Sequence, residues 1–112
     1  MTLGEYQQAA RATALYPAEA RVLYPTLKLA GEAGEVAEKL GKLMRDEGYL
    51  PGDALSDEQR AALAAELGDV LWYVANLAAD LDLPLEEVAR SNLAKLASRK
   101  ARGVLHGSGD DR

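Results

Sequence analysis

Two stretches of the chain carry apolar residues at steps of three and four. Leu29, Ala33, Val36, Leu40 and Leu43 form one series, and Leu63, Leu67, Val70, Val74, Leu77 and Leu81 form the other. That spacing puts each series on a single helical face, as in helix bundles. Thr2 with Glu5, and Ser56 with Gln59, have the capping-box spacing that satisfies orphan amides at a helix start. Proline avoids helix interiors but is tolerated in the first turn. Together these signals predict a first helix from Thr2 to about Tyr16 and a second over about 26–46 opened by Pro25. A third follows from Ser56 to about Asp82, and a fourth from Pro84 to about Arg102.

Between the second and third helices, "RDEGYLPGDALSD" is rich in turn residues and is expected to be the most mobile loop. The closing "GVLHGSGDDR" is glycine-rich and polar, so its composition favours a loose tail over a segment that orders across a ligand or a neighbouring subunit. One domain over residues 1–104 with a tail over 105–112 is the resulting organisation. Two long amphipathic helices have only each other and two shorter ones to cover them. The expected fold is therefore all-α and four-helix bundle-like, completed by homo-oligomerisation.

The two long segments also repeat one another. Leu29, Ala30, Glu32, Gly34, Val36 and Leu43 recur as Leu63, Ala64, Glu66, Gly68, Val70 and Leu77, and Glu35 recurs as Asp69. A tetratricopeptide-type solenoid would need two helices per repeat and at least three copies, which this chain lacks.

With 112 residues, a partner subunit would help such a chain bury its apolar surface. Ala, Leu and Glu dominate and Phe is missing, which again favours helices. A net charge of -5 argues against general nucleic-acid binding. The lack of cysteine removes disulfides and thiolate metal sites, and no apolar run approaches the length of a membrane span. A cytoplasmic protein is expected.

At about 100° per residue, Glu32 and Glu35 fall on one flank of the second helix with Lys28 and Lys39, while Glu38 points outward. Glu66 and Asp69 take the matching flank of the third helix, and Tyr73, Asn76 and Asp80 continue the line. Four carboxylates can thus converge, and their mutual repulsion asks for a cation. No basic residue flanks Glu66 and Asp69 on their own helix, so a simple intrahelical ion pair does not explain them. Oxygen-only ligands suit Mg²⁺, with Mn²⁺ a possible substitute, whereas zinc-type His and Cys ligands are missing. A di-iron bundle is excluded because the lone histidine, His106, lies in the tail.

From Arg90 to Arg102 there are five basic residues and no acid. Asn92, Lys95, Arg99 and Arg102 form a stripe beside the apolar face of the fourth helix, suited to a polyanion such as phosphate. Lys28, Trp72, Tyr73 and Asn76 are further candidate substrate contacts; the two aromatics could offer a flat face to a base.

The paired "EAGE" and "ELGD", with "GDVLWY" and "NLAKLASR", resemble the signature of the MazG-like all-α nucleoside triphosphate pyrophosphohydrolases, a superfamily that also includes dimeric dUTPases and phosphoribosyl-ATP pyrophosphatases. The resemblance spans about residues 26–102. It implies Mg²⁺-dependent hydrolysis of (d)NTPs to the monophosphate and pyrophosphate by a homodimer or homotetramer. It further implies that Glu32, Glu35, Glu66 and Asp69 bind metal, that Lys95 and Arg99 bind phosphate, and that Asn92 makes a polar contact. Many relatives place a second acid immediately before the first motif glutamate, where this chain has Gly31. Activation of water then falls to the metal or to a motif carboxylate, with Glu35 the candidate catalytic residue. A non-catalytic helical adaptor presenting its basic stripe to a partner is the alternative from outside the enzyme class.

Overall fold

The computed structural model describes residues 1–112. Four helices follow in order: α1 (Leu3–Ala12), α2 (Leu23–Glu47), α3 (Asp57–Asp80) and α4 (Leu85–Ala101), with a 3-10 turn at Ala18–Ala20. There is no strand, and no helix is long and apolar enough to cross a membrane.

Both capping boxes form. Thr2 Oγ1 accepts from the Glu5 amide at 3.0 Å while Glu5 returns the bond to the Thr2 amide at 2.9 Å; Ser56 and Gln59 do the same at 3.1 and 2.9 Å. α1 stops earlier than expected, because the chain turns away at Thr13 and carries Tyr16 to Asp80 on α3. α2 starts two residues before Pro25. Proline is tolerated there since first-turn amides have no intrahelical acceptor. Gly48 closes α2 in the left-handed region at φ 69°, a conformation that glycine adopts without a Cβ penalty.

α2 and α3 pair antiparallel along their lengths. At one end the Val22 amide donates to Asp80 at 3.0 Å; at the other, Gln59 Nε2 donates to Glu47 at 3.0 Å. α1 lies across the C-terminal half of α3. Its Gln7 amide donates to the carbonyls of Ala75 and Leu83 and accepts from the Leu85 amide, so one side chain ties α1 to the end of α3 and the start of α4. A small core of Ala10, Ala75, Ala78 and Leu85 sits at this junction, with Tyr6, Trp72 and Val74 packed against it.

The helices do not close into a bundle within one chain. The radius of gyration is 17.1 Å, against about 13 Å for a compact domain of this length. Apolar positions that the periodicity assigns to a core are instead open: Leu67 is 56 % and Leu93 67 % exposed.

Candidate active site

The antiparallel register sets residues near 32 on α2 against residues near 69 on α3. Ligand oxygens of Glu32, Glu66 and Asp69 lie within 4.8 Å of one another. Two of these side chains, Glu32 and Glu66, are only 18 % exposed. Lys28 Nζ lies 3.7 Å from Glu32, and Lys39 Nζ reaches across from α2 to within 3.3 Å of Glu66. A basic neighbour for Glu66 therefore exists, contrary to the reading of its own helix, because it comes from the opposite one. Two ammonium groups facing three carboxylates leave the cluster negative.

The donor set fits a hard divalent cation. Ligand oxygens of a Mg²⁺ octahedron are at most about 4.2 Å apart, twice a bond of about 2.1 Å. A spread of up to 4.8 Å reaches that by small side-chain rotations. Glu35 differs from expectation: it is exposed, and its carboxylate is not among the three that converge. The repeat is thus not a symmetric site, since Asp69 enters and its counterpart Glu35 stays out, while Lys39, one turn beyond Glu35, takes the place beside Glu66. Glu38 pairs with Lys42 at 3.3 Å on the open face, as its outward direction predicts.

Thr13, Glu32, Asp69, Trp72 and Tyr73 line a cavity of about 370 Å³, within the range of small-molecule sites. Trp72 and Tyr73 meet edge to face, with ring centroids 4.8 Å apart, and Tyr73 meets Tyr24 at 6.2 Å. Lys28 Nζ lies 6.0 Å from the Tyr73 ring centre. Burial, then the Tyr24 hydroxyl and the charges of Glu32 and Asp69, push the Tyr73 phenol up to about 12. Tyr73 is a neutral hydrogen-bonding group at any physiological pH.

The remaining candidates are placed elsewhere. Asn76 is 1 % exposed, its amide donating to the carbonyls of Trp72 and Ala10 and its oxygen accepting from Arg11. It holds α1 against α3 instead of facing a ligand, because α1 covers the line that the helix periodicity leaves open. Asn92 and Lys95 line a second cavity with Leu83, Glu87, Val88 and Ser91, to which none of the clustered carboxylates contributes. Arg99 is 5 % exposed: the tail, expected to be loose, folds back over α4. There Arg99 Nη2 donates to the Asp110 carbonyl at 2.7 Å, and Lys95 lies 3.8 Å from the Asp110 carboxylate. Arg112 fastens the tail by donating to the carbonyls of Val104 and Leu105.

Sequence reasoning did not single out Thr13 or Tyr24. Thr13 carries no local signal, for its partner Trp72 is 59 residues away. Tyr24 stands beside Pro25, where a Tyr-Pro pair reads as a break between helices.

The family described as MazG nucleotide pyrophosphohydrolase domain matches residues 24–104, well over half of the chain. Gene 37 protein of Mycobacterium phage L5 is 49 % identical over 113 residues, covering 96 % of this chain and 96 % of the phage protein. The Homo sapiens protein dCTP pyrophosphatase 1 is 37 % identical over 93 residues, covering 73 % of this chain and 54 % of the human protein. No solved structure matches. The three converging acids of α2 and α3 all fall inside the matched span, and the chain belongs to the MazG nucleotide pyrophosphohydrolase family.

Proposed function

We propose that this protein is a Mg²⁺-dependent nucleoside triphosphate pyrophosphohydrolase that converts (d)NTPs to (d)NMP and pyrophosphate, with Mn²⁺ able to substitute, in cytoplasmic nucleotide-pool house-cleaning. The observation that carries this reading is the set of Glu32, Glu66 and Asp69 oxygens within 4.8 Å, opening into a cavity walled by Trp72 and Tyr73. A human relative named for dCTP pyrophosphatase activity supports a nucleotide substrate.

Glu32, Glu66 and Asp69 would hold the cation, which supplies Lewis-acid polarisation of the phosphates and acidifies bound water. Lys28, 3.7 Å from Glu32, would neutralise phosphate charge. Trp72 and Tyr73 present apolar ring surface to a base. Glu35, exposed one helical turn from Glu32, is free to accept a proton from attacking water. Asn92, Lys95 and Arg99 belong to a different surface of the single chain. They serve phosphate in this scheme where a second subunit brings its α4 to the cavity, and the open apolar face at Leu93 and Leu96 supports such a homodimer or homotetramer.

Incubation with a panel of NTPs and dNTPs and Mg²⁺ tests the chemistry. Pyrophosphate is the expected first product. Orthophosphate as the first product, or no turnover of any nucleotide, would refute it and leave a helical adaptor as the better description.

A further inference from the structure

The indole of Trp72 packs against the small core, which does not aim its N–H, and one hydrogen bond from a distant segment does. The indole Nε1–H donates to Thr13 Oγ1 at 2.8 Å. The Thr13 hydroxyl spends its single proton on the Ala10 carbonyl at 3.0 Å, so the oxygen facing Trp72 can only accept. Indole N–H can only donate. The pair is therefore matched in one direction and fixes the orientation of the ring. Below, the Trp72 carbonyl accepts from Asn76, which anchors the backbone but leaves the side-chain torsions open. Beside it, Tyr73 offers an edge contact, which does not select a unique torsion. Both members of the bond line the same cavity as Glu32 and Asp69. Thr13 also lies outside residues 24–104, the span that the family match covers.

We propose that Thr13 is a positioning residue that locks the Trp72 indole as a wall of the nucleotide cavity, so that the C-cap of α1, outside the family-matched span, sets the affinity for the flat part of the substrate. This rests on the proposed function. Without the bond, the half-buried ring keeps only its packing against the core and Tyr73 and rotates more freely, and a ligand stacking on it must first order it, which lowers affinity without altering the reacting groups.

The test compares Thr13→Val, which keeps the shape and removes the acceptor, with Thr13→Ser, which keeps the acceptor. Trp72 is the sole tryptophan, so emission reports on it alone. Thr13→Val is expected to shift ligand-free emission to longer wavelength, increase quenching by acrylamide, and raise KM for the nucleotide about three- to ten-fold with kcat changed far less. Thr13→Ser should restore both readouts, and unchanged far-ultraviolet circular dichroism should show that α1 remains folded. A wild type that turns over nucleotide while Thr13→Val matches it in emission and KM would overturn this inference alone. A wild type that releases no pyrophosphate would overturn the functional reading, and the role in substrate affinity with it.

Discussion

Asp80 offers a sharp test of how the site's scaffold is held. Its side chain is fully buried, and its carboxylate accepts from the Tyr16 hydroxyl at 2.8 Å and the Val22 amide at 3.0 Å while pairing with Arg11 at 2.7 Å. Those donors come from α1, from the connection after it, and from the cap residue that precedes α2. Val22 sits there at φ 67°, a strained conformation for a β-branched residue, which its bond to Asp80 helps to retain. Asp80→Ala leaves two neutral donors and a guanidinium without their acceptor. Removing one partner of a buried ion pair costs about 3–5 kcal/mol, and Arg11, at 33 % exposure, can recover part of that from water. The expected loss is about 3 kcal/mol, or about 10–15 °C in Tm. Urea and thermal unfolding followed by circular dichroism measure it. Burial alone would raise the Asp80 carboxyl, but the bonds from Val22, Tyr16 and Arg11 outweigh it and hold the group below its ordinary 3.8. Since the folded value is depressed, this stability is present above about 3.8 and is lost as pH falls through the lower folded value. The gap between wild type and Asp80→Ala should therefore narrow in acid. A variant within about 1 kcal/mol of wild type at neutral pH, or a gap independent of pH, would refute the reasoning.

Two further outcomes follow from the site. Glu35→Gln should lower kcat about 100-fold or more, as for loss of a general base, with metal affinity nearly unchanged, whereas Glu66→Gln should lose both; pyrophosphate release and metal titration separate them. In alkaline titration by ultraviolet absorbance, Tyr73 should ionise near 12, and Tyr73→Phe should remove that step; because the folded value is raised, the associated stability is intact below 10.0 and disappears as pH climbs toward 12.

Local chemistry made much of this fold legible. Capping boxes at Thr2 and Ser56 depend on residues three apart, and the stripes of α2 and α3 depend on a period, so both are written in short windows of sequence. The internal repeat likewise exposed the two acidic pairs. What short windows cannot contain is the register between helices. Lys39 beside Glu66, Glu35 left outside the cluster, and Asn76 covered by α1 all follow from where antiparallel helices meet. The end of α1 is decided by Tyr16 reaching Asp80, 64 residues on, and the tail by Arg112 finding carbonyls at Val104 and Leu105. For the basic stripe, periodicity correctly put Lys95 and Arg99 on one face but carried no information about what covers it, which in this chain is Asp110.

Electron paramagnetic resonance of Mn²⁺, whose free-ion signal falls on binding, addresses the claim that acids of α2 and α3 share one cation. Wild-type protein should remove that signal saturably, and Glu32→Gln, Glu66→Gln and Asp69→Asn should each restore it. Binding that survives all three substitutions, or no binding by the wild type with or without nucleotide, would contradict the account.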